Sequence, residues 1–171
     1  MMDISGDLRK HILNIQGRRI KRKLIVFESD DWGSERIPSK GALQNLENAG
    51  ISLGSNPFNF LDSLETEDDL SALFDTLHSF RDRYGNHPSI TANCVTANPD
   101  FEKIRESRFR AYFYESITRS YSRKKGCVNS LRIIQEGIKE GIFRPQFHGR
   151  EHLSVCHWLK ALQDGDPVLR E

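Results

Sequence analysis

Apolar residues along this chain occur in two patterns that alternate. Short compact runs rich in β-branched and aromatic residues, at 24–27 (L-I-V-F), 89–95 and 142–147, predict strands. Four consecutive apolar residues in the first run predict a strand buried on both faces. Between the runs, apolar positions recur every three or four residues and predict helices. One covers 7–16 with Leu8, Ile12, Leu13 and Ile15 on a face and Gly17 as its stop. Another starts at Pro38-Ser39 and runs to Asn48, ahead of Gly50, with a loop over 52–64.

Thr66-Glu67-Asp68-Asp69 reads as a cap with acid in the first turn, opening a helix whose inner face holds Leu70, Leu73, Phe74, Leu77 and Phe80 as far as Tyr84-Gly85. A brief helical piece covers 101–106, and a helix over 129–140 turns Leu131, Ile134 and Ile138 inward before Gly141. The last, over 151–162, carries His152, keeps Val155, Leu159 and Leu162 on its core side and breaks at Gly165-Asp166-Pro167. Three strand-to-helix units in succession predict an α/β fold with parallel strands and right-handed crossovers.

Composition adds bounds. The 171 residues, 37% hydrophobic and 29% charged, suit one soluble domain with a real core. No run approaches the roughly 18 apolar residues of a membrane span, and residues 1–10 are polar with no apolar stretch behind them, so the reading is cytoplasmic, without a secretory signal. Cys94, Cys127 and Cys156 are widely spaced and read as reduced, mostly buried thiols. A net charge of +1 gives no case for nucleic acid or membrane partners. The basic run 18–23 reads as a solvated lead-in, so residues 1–23 form a lead-in and 24–171 a single β/α domain. Within it, an insertion at about 107–126 is rich in aromatic and basic residues, suiting either a carbohydrate-facing lid or a stretch packing a small cluster of its own.

The candidate chemistry lies at the ends of the first and third runs. Asp30 and Asp31 follow the first, where open sheets and barrels of this class place ligands, although such a pair also serves as a cap and a solvated carboxylate. His148 ends the third run and His152 follows four residues on, spaced to face one point across a helical turn or across an elbow at Gly149. Together the four residues make a mononuclear metal constellation of two nitrogens and one oxygen. A competing half-site, His152 with Cys156 and His157, has no second pair to complete it, and Cys156 beside Trp158 reads as packing.

Ser29-Asp30-Asp31-Trp32-Gly33 and His148-x-x-x-His152 resemble the first two motifs of the NodB-homology polysaccharide deacetylases, with similarity also to the YdjC-type deacetylases. The resemblance implies a parallel-stranded (β/α) barrel, present here as an amino-terminal portion, because the family's later Arg-containing motif and late histidine have no counterpart. It implies a hydrolase that removes acetyl groups from an N- or O-acetylated carbohydrate. Asp30 would be the general base, and Asp31, His148 and His152 the ligands of a divalent metal ion, zinc first. An incomplete barrel also implies self-association through an uncovered sheet edge. The alternatives are a non-catalytic deacetylase-like domain and a metal-dependent phosphoesterase or nuclease using the same ligands.

Overall fold

The structure is a computed structural model that describes residues 23–35, 40–48, 50 and 63–165, with isolated positions 12, 13, 15, 17 and 21. Apart from those positions and Lys23, the helix expected over 7–16 and the basic run 18–23 lie outside the described residues. So do Pro38-Ser39, most of the loop 52–64 and Asp166-Pro167. The elements are β1 (Phe27–Trp32), α1 (Lys40–Asn48), α2 (Glu67–His78), β2 (Ile90–Val95), β3 (Ala97–Pro99), α3 (Phe101–Glu106), β4 (Tyr114–Ser116), α4 (Ile117–Arg123), α5 (Ser130–Glu140), β5 (Phe143–Gly149) and α6 (Val155–Asp164). Among the described residues the strands form a parallel sheet in the order β1-β2-β5 and a small antiparallel sheet of β3 and β4. The fold is α/β, built on parallel strands.

Local chemistry accounts for the two helices that cover the sheet. The Thr66 hydroxyl accepts from the Asp69 N–H at 3.2 Å, while an Asp69 carboxylate oxygen accepts from the Thr66 N–H at 2.9 Å, a reciprocal cap that satisfies two donors at the start of α2. Leu70, Phe74 and Leu77 then fall on one face and pack with Ala92, Ile142 and Phe143, and Trp32 meets Phe143 edge-on at 5.1 Å. α2 stops at His78, short of the expected Tyr84, and Phe80 is 62% exposed. The reason is local competition. The Ser79 hydroxyl donates to the Thr76 carbonyl, and one Asp82 oxygen collects the N–H groups of Tyr84 and Asn86, a turn that draws the chain off the helix. α5 ends, as its sequence indicates, at Gly141 in the left-handed conformation. Ile138 is 41% exposed rather than inward, whereas Ile134 packs against both core clusters.

The helices approach closely at Gly137, where a Cβ would lie 2.5 Å from the Phe74 ring and 3.2 Å from the Phe143 Cβ. Gly137→Ala is expected to destabilise the fold by about 1–2 kcal/mol, because forcing a methyl into this packed contact outweighs the gain in helix propensity. A urea melt showing equal or greater stability would refute the close contact.

The first run differs most from expectation. Leu24, Ile25 and Val26 precede β1, and they and Phe27 are 52%, 81%, 74% and 52% exposed rather than buried on both faces. β1 lies at the sheet's edge and pairs with β2 only from Phe27 onward, opposite Ile90, while α2 and α5 cover just one sheet face. By alternation and register the other face carries Glu28, Asp30, Thr91, Asn93, Arg144 and Gln146, a polar set.

The stretch 107–126 supplies β4 and α4. Its Tyr121, 2% exposed, forms a second cluster with Leu64 and Cys127, backed by Ile117, Leu131 and Ile134. Tyr121 donates its hydroxyl proton to one Glu65 oxygen while the other Glu65 oxygen accepts the Gly33 N–H at 3.3 Å, tying this cluster to the turn that follows β1. Cys127 is buried, Cys94 half-buried and Cys156 exposed on α6, so packing does not account for Cys156. Among the described residues no helix is long and apolar enough to cross a membrane.

Candidate metal centre

Two irregularities in the sheet create the site. Ser29 is opposite Ala92 and Trp32 opposite Cys94, so β1 spends one residue more than β2 over this step, a bulge at Asp30-Asp31. On the other side Phe147 is opposite Cys94 and Gly149 opposite Val95, which leaves His148 as the extra residue of β5. Both bulges fall at the carboxyl end of β2, one on each flank, and both re-aim the residues they contain. Asp31 adopts the left-handed conformation, φ 63°, which Asp tolerates better than most residues because its short side chain bonds locally.

The bulge gives the two aspartates different surroundings. Asp30 stays on the polar face, exposed, where the Asn93 side-chain amide donates to it at 2.6 Å and to Glu28 at 2.9 Å. Asp31 turns to the sheet's carboxyl end and meets both histidines. Its Oδ1 lies 2.8 Å from His152 Nδ1 and 3.5 Å from His148 Nε2, and the imidazoles stand 5.1 Å apart at 63°.

His152 reaches this point from a loop, not from the helix expected over 151–162. The Thr96 and Ala97 N–H groups donate to the Arg150 carbonyl at 3.0 and 2.7 Å, and Thr96 also to the Gly149 carbonyl at 3.2 Å. These bonds hold Gly149 and the bend at Arg150 against the start of β3, and Gly149, at φ 134°, makes the elbow. α6 therefore begins only at Val155.

One atom of Asp31, His148 and His152 each falls within 4.8 Å of the others, on the scale of ligands about 2 Å from a shared ion. The donor set of two imidazole nitrogens and a carboxylate oxygen suits zinc. His148 Nε2 is shielded from solvent and has no hydrogen-bond partner among the described residues, facing Asp31 Oδ1 instead. A buried imidazole nitrogen in that position is costly unless something satisfies it, and an ion bound by all three groups would do so. The Asp31 side chain is 18% exposed and that of His152 58%, so the site opens toward solvent on the histidine side. Cys156 and His157 do not join this group. His157 Nδ1 bonds the Ser154 hydroxyl at 2.9 Å.

The surroundings hold residues that sequence reasoning missed. Glu35 is 5% exposed, its N–H donates to Asn98 Oδ1 at 2.9 Å, and its carboxylate pairs with Arg123 and, at 3.1 Å, with Lys124. Asn98 in turn donates to the Gly33 carbonyl at 2.9 Å and to Ser120 Oγ at 3.1 Å. This network fixes the backbone just past Asp31. Asn98 in Asn98-Pro99-Asp100 looks like an ordinary turn residue, and nothing in its spacing from Glu35 marks the contact. Between the histidines, Arg150 forms two bonds to the Glu151 carboxylate, at 2.5 and 2.7 Å, and lies over the rings of Tyr114 and Tyr112 at 4.6 and 5.5 Å. Burial, and then the Glu151 charge, push the Tyr112 hydroxyl up to about 12.

The fold and site define an α/β protein with an aspartate–bis-histidine cluster at the carboxyl end of a parallel sheet. No family model, no curated protein and no solved structure matches the chain.

Proposed function

We propose that this chain is a metal-dependent carbohydrate deacetylase of NodB-like type, with the parallel strands of a (β/α) barrel, acting on an N- or O-acetylated carbohydrate in the cytoplasm, with neither nucleic acid nor membrane as partner. The observation that carries the reading is the convergence of Asp31, His148 and His152, with Asp30 set apart from them by a bulge. One feature of the sheet supports the barrel: its strands follow one another in sequence order in a single direction, as closure demands.

Asp31, His148 and His152 would hold the metal, zinc by donor type. Bound there, it supplies Lewis acidity that polarises a carbonyl and lowers the pKa of water to about 7. Asp30, not part of the ligand cluster, is the general base that takes a proton from the attacking water, and the Asn93 amide fixes its carboxylate. Arg123 and Lys124, through Glu35, steady the turn that carries Asp31.

The test is acetate release from an N-acetylglucosamine tetramer and from acetylated xylan by the zinc-loaded chain, with bis(4-nitrophenyl) phosphate hydrolysis measured beside it. Acetate release supports the reading. Phosphodiester cleavage without acetate assigns the same ligands to a phosphoesterase, and zinc uptake with neither reaction leaves a non-catalytic deacetylase-like domain.

Self-association belongs to the same proposal. Leu24, Ile25 and Val26 at one sheet edge and Phe147, 77% exposed, at the other present apolar surface beside strand edges that have no partner strand among the described residues. Sedimentation velocity is expected to show mass increasing with concentration, and a monomer over a hundredfold range would count against it.

A further inference from the structure

A cleft of about 210 Å³ opens directly beside His152. Clefts that take drug-sized ligands run to roughly 300–1,000 Å³, so this one fits a single ring. Its apolar walls are Pro99, Phe101, Leu153 and Trp158, and its polar walls include Glu35 and Asn98. Those polar groups are already engaged, the Glu35 carboxylate by Arg123 and Lys124 and the Asn98 amide by Glu35, Gly33 and Ser120. The cleft therefore offers little to a charged ligand. It offers aromatic surface instead, and that surface is held in place: Phe101 and Tyr112 meet the Trp158 indole edge-on at 6.2 and 6.4 Å, with interplanar angles of 77° and 87°. Phe101 nevertheless remains 50% exposed.

We infer that the cleft between Trp158 and Phe101 is a saccharide subsite, which takes the neutral sugar ring next to the acyl group presented at Asp31, His148 and His152. A sugar ring has apolar C–H faces that lie against aromatic rings and equatorial hydroxyls that stay in water. It needs no charged partner, matching walls whose charges are already paired. The cleft shares His152 with the metal cluster, so a ring seated there puts its substituent at the ligand atoms. The inference rests on the deacetylase reading for its choice of ligand, while the residues that bind are argued from the cleft itself.

The test is calorimetric titration of the zinc-loaded chain with the N-acetylglucosamine tetramer and, separately, with phenyl acetate. Trp158→Ala and Phe101→Ala are each expected to weaken tetramer binding about 10-fold, the scale of one lost ring contact. Trp158→Phe, which keeps a ring and guards against loss of fold, is expected to stay within about threefold of wild type. Unchanged affinity in both alanine variants overturns the subsite, as does failure of the wild-type chain to bind the tetramer. Phenyl acetate binding that depends on Trp158, without tetramer binding, overturns it in favour of an aryl ester ligand. Acetate release separates this inference from the reading it rests on. A chain that releases acetate but binds independently of Trp158 and Phe101 loses only the subsite, whereas Trp158-dependent tetramer binding with no acetate release keeps the subsite and removes the deacetylase.

Discussion

Asp31→Ala is expected to abolish stoichiometric zinc uptake. Both imidazoles converge on one oxygen of this carboxylate, at 2.8 and 3.5 Å, so the substitution removes the anionic ligand that draws the two nitrogens to a common point. Two neutral imidazoles on an elbow and a loop then remain, and neither supplies the charge that offsets a divalent cation's desolvation. Alanine is also less at ease than aspartate at φ 63°, which adds on the order of 1–2 kcal/mol of backbone cost. Asp31→Asn separates the two effects. Asparagine accepts the left-handed conformation readily, so this variant should melt close to wild type and still bind zinc far more weakly. Zinc content measured by competition with a chromophoric chelator decides the matter. Wild-type stoichiometry in both variants would reduce the cluster to a hydrogen-bonded aspartate between two histidines.

For Asp30→Asn the expectation is the reverse combination, with zinc retained and acetate release reduced by roughly 10²- to 10⁴-fold, the usual loss on removing a general base. The introduced amide keeps the shape of the carboxylate and can turn its oxygen toward the Asn93 donor, which lies 2.6 Å from Asp30 in the native chain. The bulge should therefore survive, and with it the placement of Asp31. Full activity in this variant would take Asp30 out of the chemistry. Loss of zinc equal to that of Asp31→Ala would instead show that the two adjacent carboxylates act as one ligand group.

The contrast between these neighbours shows what was legible in the residues. That carboxylates and imidazoles lie at the ends of two strand-forming runs is written in the chain, and so are the start of α2 at its Thr66–Asp69 cap and the end of α5 at Gly141. These are local matters. A cap joins groups three residues apart, and a glycine carries its conformational freedom wherever it stands. The parallel order of the strands was readable for a related reason, since crossover-length segments separate them.

What the residues alone did not reveal depends on pairing between distant parts of the chain. An extra residue in β1 or β5 exists only relative to β2, so no inspection of Asp30-Asp31 or of His148 could reveal the bulges that turn Asp31 toward the histidines and leave Asp30 beside Asn93. His152 stands in a loop because Thr96 and Ala97 hold the Arg150 carbonyl, a contact across more than fifty residues that overrides the local helical pattern. The run at Leu24 to Phe27 is apolar enough for a core strand yet exposed, because burial is set by what covers an element and this one begins at a sheet edge. Glu35, Asn98 and Tyr121 are ordinary residues in sequence and become supports of the site only once β3, β4 and α4 fold back against the turn after β1. Residue types and local geometry thus determined which groups could form a site and which helices they lie near. Tertiary pairing decided which aspartate faces the histidines, because the direction of a side chain at a strand's end follows from register, a relation between strands rather than a property of one.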